Sequence, residues 1–209
     1  ITSQTLPIVE RMLREGHLIA AHSWDHDNSM SQSQDAFKQS LKKTIFTLDS
    51  ALKSANRTQN ETYFRFPYGA YGQHSGYHHL NAMREVSTQL FGDNCINFAF
   101  WSIDTTDWLG SMTPADILQN VVANMDGGKA ITHKAVKGPN GKVTYVKEHY
   151  TISNPVGGGV ILMHDIHTRS VDAVEPILQW AEKNKVEVVA LNTVKEYAYG
   201  DKVCKLKVQ

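Results

Sequence analysis

Gly16-His17-Leu18-Ile19-Ala20-Ala21-His22-Ser23-Trp24-Asp25-His26 is the stretch on which the reading of this chain turns. A short apolar run, punctuated at its approach by a glycine, ends on two imidazoles four residues apart. The run predicts a buried strand over residues 17–22, which puts both histidines on the loop at its carboxyl end, with Ser23 available to hold that loop by a hydrogen bond. Neutral imidazoles are good ligands for a divalent metal. A lone histidine pair is nevertheless more often incidental, because a metal site needs a third ligand, usually a carboxylate or another histidine.

The flanking pattern alternates helix and strand. Upstream, residues 6–15 place Ile8, Val9, Met12 and Leu13 on one helical face, and Gly16 supplies the stop. Downstream, residues 34–55 repeat Phe37, Leu41, Ile45, Leu48 and Leu52 at spacings of three and four, a long amphipathic helix. A strand over 63–66 is ended by Pro67 and Gly69, and a loop rich in Gly and His leads to a helix near 77–90. The near-continuous apolar run 96–103 reads as a strand buried on both faces and ends on Asp104.

Thr113-Pro114-Ala115-Asp116 offers a capping hydroxyl and a first-turn proline for a helix over 117–125. The turn signal Gly138-Pro139-Asn140-Gly141 then predicts a β-hairpin insertion within 129–155. A strand over 160–163 ends at His164. A helix over 171–182, with Val171, Val174, Leu178 and Ala181 on its apolar face, and a strand over 186–191 complete the pattern. Strands alternating with helices imply an α/β fold with parallel strands, organised as one domain over 1–209.

Composition excludes several functions. With 21 basic and 21 acidic residues the chain has no electrostatic footprint for nucleic acid or anionic membrane, so neither is expected as a partner. No apolar run approaches the roughly 20 residues of a spanning helix, so no membrane insertion is expected. The chain opens on Ile1 without a methionine, which reads as a mature or trimmed piece. Cys95 and Cys204 are too few and too far apart for a zinc knuckle or a redox pair; they form one disulfide if the protein is exported and are otherwise small apolar residues.

Five polar residues, His22, Arg65, Asp104, Asp107 and His164, fall at or just past the carboxyl ends of predicted strands, the edge on which parallel α/β folds build their sites. Taken alone, Arg65-Phe66-Pro67-Tyr68-Gly69 is an ordinary strand end, Asp104-Thr105-Thr106-Asp107-Trp108 a turn beside an indole, and Leu162-Met163-His164-Asp165 a strand ending in a structural histidine. In this order they resemble the polysaccharide deacetylases of carbohydrate esterase family four, the NodB-homology domain. The family's H-[ST]-x-x-H matches His22 to His26, R-x-P-[YF] matches Arg65 to Tyr68, D-x-x-D-W matches Asp104 to Trp108, and L-x-H matches Leu162 to His164.

The family's first motif, a strand ending T-F-D-D-G, does not occur in the chain. The resemblance therefore implies a distorted (β/α) barrel lacking its first strand, first helix and second strand. It also implies a metal-assisted hydrolase of acetamido groups. Zinc, or cobalt, nickel or manganese, would be held by His22, His26 and an aspartate of the absent motif, activating water and polarising the acetyl carbonyl. The motif's other aspartate would act as base, paired with Arg65. The Tyr68 N–H would stabilise the oxyanion, and His164, supported by Asp107, would protonate the leaving amine. Pro67, Trp108 and Leu162 would shape the sugar groove. Implied substrates are N-acetylglucosamine polymers, peptidoglycan first, then chitin or chitooligosaccharide, then acetylxylan, met by a secreted, periplasmic or wall-associated protein. Without the first motif in the native protein, the resemblance reduces to a non-catalytic sugar-binding domain.

Overall fold

The computed structural model describes residues 1–72, 78–197 and 204–207, which leaves residues 73–77 of the predicted Gly- and His-rich loop outside the described residues. The chain divides into two compact units, Ile1–Phe100 with Val189–Gln209, and Trp101–Val188.

In the first unit, helix α1 (Leu6–Arg14) packs on α2 (Gln34–Ser54). Of the predicted α1 face only Leu13 is buried, while Ile8 and Met12 face water. Helix α2 begins where the Ser33 hydroxyl accepts from the Ala36 N–H at 3.2 Å. Its stripe Phe37, Leu41 and Ile45 is fully buried, as the spacing predicts. Strand β1 (Thr62–Phe64), helix α3 (His78–Phe91) and strand β2 (Ile96–Phe98) follow, with β1 and β2 parallel in the register Thr62↔Ile96 to Phe64↔Phe98. The core is aromatic: the Phe37 and Phe66 rings stack at 5.5 Å between centroids, and Phe64 meets Phe66 edge-on at 4.8 Å. The disulfide Cys95–Cys204 ties the last described segment to this unit, which settles the sequence's open alternative for the two cysteines.

The predicted strand over 17–22 shrinks to one bridge, Ala21↔Phe64, where Ala21 N–H donates to Tyr63 and Arg65 N–H donates to Ala21. The reason lies in Gln59. Its side-chain amide accepts from the Ile19 N–H at 2.9 Å and donates to the Ile19 carbonyl at 2.8 Å, taking the place of a neighbouring strand.

In the second unit, β3 (Ile103–Asp104) pairs in parallel with β6 (Ile161–Leu162). Between them lie α4 (Pro114–Asp126), which starts on a complete Thr113/Asp116 capping box, and an antiparallel hairpin of β4 (Gly128–Lys137) and β5 (Val143–Ile152) around the predicted turn. Helix α5 (Thr168–Lys183) closes the unit. Its core contains Ile103, Leu109, Ile117, Val121, Ile131 and Ile177.

Three expectations are corrected. The run 96–103 is not one strand: the Ala99 N–H still bonds Phe64, but the Ser102 N–H bonds Val160, so the chain changes partners in between, and Phe98 is exposed. Residues 186–191 form no strand, since the Val186 N–H closes the end of α5 on Ala181 and Val188 and Val189 face solvent. On α5 the buried face is Ser170, Ala173, Ile177 and Ala181, while Val171, Val174 and Leu178 are exposed. The parallel pairs and intervening helices otherwise conform to the α/β reading, as separate two-stranded sheets.

Candidate functional site

The predicted site residues fall into two groups, one in each unit. In the first unit, the His22 Nδ1 lies 2.8 Å from the Arg65 carbonyl oxygen. A carbonyl only accepts, so Nδ1 carries the proton and the lone pair belongs to Nε2, the tautomer suited to a metal ligand. The His22 and His26 rings lie 4.8 Å apart, and Tyr68 meets His26 edge-on at 5.0 Å. The first unit thus brings His22, His26, Arg65 and Tyr68 together.

The Arg65 Nε–H donates to the Ala99 carbonyl at 3.2 Å, which pins the guanidinium from the far side. Burial pushes its pKa down, opposed by Tyr197. Pro67 is buried and opens a tight turn, Pro67–Gly69, that lifts Tyr68 into solvent at φ 57°. The hydroxyl of Ser23 does not hold the loop as expected, for its Oγ is buried with no hydrogen-bond partner among the described residues.

In the second unit, Asp107 is completely buried at the end of β3. Its Oδ1 accepts from His164 Nδ1 at 2.7 Å, and its Oδ2 accepts from the His164 N–H and the Ser170 hydroxyl, both at 2.6 Å. Burial pushes the Asp107 carboxyl up, but the His164 ring, the Ser170 hydroxyl and the His164 N–H together hold it below the ordinary carboxylate range. The result is a fixed anion behind a half-exposed imidazole with its second nitrogen directed away from the carboxylate. Arg169 donates to the carbonyls of Asp107 and Trp108 at 2.6 and 3.2 Å, and Thr105 Oγ1 donates to the Leu162 carbonyl at 2.6 Å. Asp104 plays another part: its Oδ1 accepts from the Thr106 N–H at 2.8 Å and shapes the turn that delivers Asp107. Leu162 is buried beneath the site and Trp108 is half-buried.

Backbone strain follows the same residues. Among the described residues six non-glycine residues have positive φ; Asn56 and Lys185 simply terminate helices, whereas Ser23, His26, Tyr68 and Thr106 all lie inside the motifs. Strained conformations of this kind persist where the surroundings impose them, as functional sites do. Sequence reasoning missed Ser170 and Arg169, whose value appears only when the start of α5 meets Asp107. It also missed Asn120, a buried amide bonded to the Thr105 carbonyl at 3.0 Å.

His22 and His26 suit a divalent metal in residue type, and His22 also in tautomer, but they are two donors. Among the described residues no group of three or more His, Cys, Asp or Glu is placed to hold an ion. The two imidazoles alone therefore do not make up a metal site.

Residues 2–86 match the family model for polysaccharide deacetylase. Over 199 residues the chain is 25% identical to the peptidoglycan-N-acetylglucosamine deacetylase of Listeria monocytogenes, covering 94% of this chain and 30% of that protein. The chain is therefore similar to the polysaccharide deacetylases. Chitin deacetylase 2 of Saccharomyces cerevisiae is 32% identical over 122 residues, which covers 55% of this chain and 33% of the yeast protein. The chain thus spans about a third of the length of these curated relatives. Its fold is shared with a family-four pseudoenzyme from Bacillus anthracis at a TM-score of 0.61 and 16% identity, over 91% of this chain and 50% of the other.

Proposed function

We propose that this chain is the deacetylating part of an enzyme that hydrolyses the N-acetyl group of N-acetylglucosamine residues in peptidoglycan and releases acetate. The observation that carries the reading is the Asp107–His164 dyad. A buried carboxylate held ionised by three hydrogen bonds stabilises the imidazolium form of His164 and fixes its ring, which is what a general acid for the leaving amine requires.

The remaining residues take roles consistent with this chemistry. Tyr68, presented on a strained turn, offers its backbone N–H to the oxyanion; Arg65 would orient a carboxylate base that accepts the proton of water; Trp108 and Leu162 bound the acetyl and sugar side. His22 and His26 would hold zinc or a related divalent ion, which when bound supplies Lewis acidity at the acetyl carbonyl. The disulfide suits an oxidising compartment, so a secreted or wall-associated protein is the matching location. Chitin is the second substrate, the polymer for which the yeast relative is named.

A non-catalytic glycan-binding chain is favoured by one observation, the two-donor count at the histidine pair. Completing the reaction takes a further carboxylate as base and a third ligand, and no T-F-D-D-G stretch in the sequence supplies them. The test is acetate release from acetylated sacculi by the full-length protein loaded with zinc. Turnover is expected, with His164→Ala abolishing it while zinc content is kept and His22→Ala losing zinc. No acetate from that zinc-loaded form would end the catalytic reading.

A further inference from the structure

The hairpin β4–β5 extends far beyond what the core needs. Only Ala130 and Ile131 near its base are buried, and from His133 to Val146 nearly every residue faces water on one side or the other. Its charge is one-sided. Residues 128–152 hold Lys129, Lys134, Lys137, Lys142 and Lys147 against Glu148 alone, in a chain whose acidic and basic residues balance at 21 each. Lys147 is taken up by Asp116 at 2.6 Å, and Lys134 lies 3.9 Å from Glu148. Lys129, Lys137 and Lys142 have no carboxylate within 4 Å among the described residues.

Residues opposite one another in an antiparallel ladder point to the same side. The register pairs His133↔Lys147, Ala135↔Tyr145 and Lys137↔Val143, so His133, Tyr145 and Lys137 share a face. Trp108 packs against that face, edge-on to His133 at 4.7 Å and to Tyr145 at 5.6 Å, while His133 and Tyr145 meet at 5.3 Å. Tyr145 keeps 51% of its surface exposed. The second unit therefore carries three mutually supported rings beside unpaired ammonium groups. Aromatic faces accept the C–H side of a pyranose ring, and ammonium groups accept carboxylates.

We infer that this hairpin face is a binding surface for a carboxylate-bearing glycan strand, with the Trp108–His133–Tyr145 cluster taking sugar rings and Lys137 taking an acidic substituent. The inference rests on the proposed deacetylase reading for its choice of a glycan, and it selects peptidoglycan, with its acidic peptide stems, over neutral chitin.

The test is cosedimentation of the full chain with three insoluble polymers: sacculi, the same sacculi after amidation of their carboxylates, and chitin. Untreated sacculi should bind about tenfold more tightly than either neutral polymer, with the preference fading at high salt. Lys137→Glu should abolish the preference, and Tyr145→Ala should weaken binding to all three polymers, with thermal unfolding unchanged because the sites are exposed. Equal binding to native and amidated sacculi, wild-type binding by the lysine variant, or equally tight retention of duplex DNA would overturn the inference. Acetate release from acetylated sacculi by the zinc-loaded protein is measured in parallel. Charge-selective binding without acetate ends the catalytic reading and leaves this surface standing; acetate with charge-blind binding does the reverse.

Discussion

Asn120 replaces a strand for Ile131: its Oδ1 accepts from the Ile131 N–H at 2.7 Å and its Nδ2 donates to the Ile131 carbonyl at 2.8 Å. The same Nδ2 reaches the Thr105 carbonyl beside Asp107, so one buried amide on α4 anchors both the base of the hairpin and the loop that carries the dyad. Asn120→Ala strips three hydrogen bonds and leaves buried backbone groups without partners, a loss of about 2–4 kcal/mol. Chemical denaturation should show that loss, and hydrogen exchange should show Ile131 losing its protection. An unchanged exchange rate at Ile131 would refute the anchoring role.

Asp107 sets an acid limit on stability. Its carboxyl is held below the ordinary range in the folded protein, so its contribution is complete above the unfolded value of about 4 and is lost as pH falls through the lower folded value. Urea midpoints should be level from neutrality to about pH 5 and then decline. Asp107→Asn should make that decline shallower. Some slope remains, because burial pushes Asp116 up but Lys147 and Thr113 hold it down in the same direction. Identical acid slopes for the variant and the parent would exclude the dyad as the source.

Gly159 has φ 140°, and a Cβ there would stand 2.0 Å from the Ser102 Oγ and 3.0 Å from its Cβ. That hydroxyl accepts from the Val160 N–H at 3.1 Å as the chain enters β6. Gly159→Ala is expected to cost about 1–3 kcal/mol from contact and backbone strain. Adding Ser102→Ala should recover part of it, since the shorter contact is removed. A double variant no better than the single would mean that backbone conformation accounts for the whole effect.

The disulfide spans 109 residues of sequence, and breaking it as Cys95→Ala with Cys204→Ala should lower stability by about 2–5 kcal/mol. Calorimetry of the oxidised parent against the reduced parent checks this without a substitution. Coincident transitions would show that the backbone bonds Cys204 N–H to Asn60 and Lys207 N–H to Leu90 hold the segment unaided.

Helix α2 was readable because its stripe is apolar, long and unmixed, and the hairpin because Gly138-Pro139-Asn140-Gly141 has few other uses. The motif residues were readable as a set through their order, and the Asp107–His164 contact gives two of them a shared geometry. Periodicity misled on α5, where the stronger apolar series 171, 174, 178 lies one residue away from the true core face. The small residues Ser170 and Ala173 turn inward because Ser170 serves Asp107, a demand that hydropathy does not register. The strand over 17–22 failed for a comparable reason: a glutamine side chain satisfied the backbone that a ladder was expected to satisfy.

The first unit is discontinuous in sequence, interrupted from Trp101 to Val188 by the whole of the second. Chain order therefore imposes an order of assembly. The second unit can complete its contacts from one contiguous segment as it leaves the ribosome, whereas the first stays open at Cys95 until its distant partner has been synthesised and oxidised. During that interval the Phe37–Phe64–Phe66 core has only part of its enclosure, so the aromatic centre of the first unit is the place where a chaperone would find a sticky nascent chain.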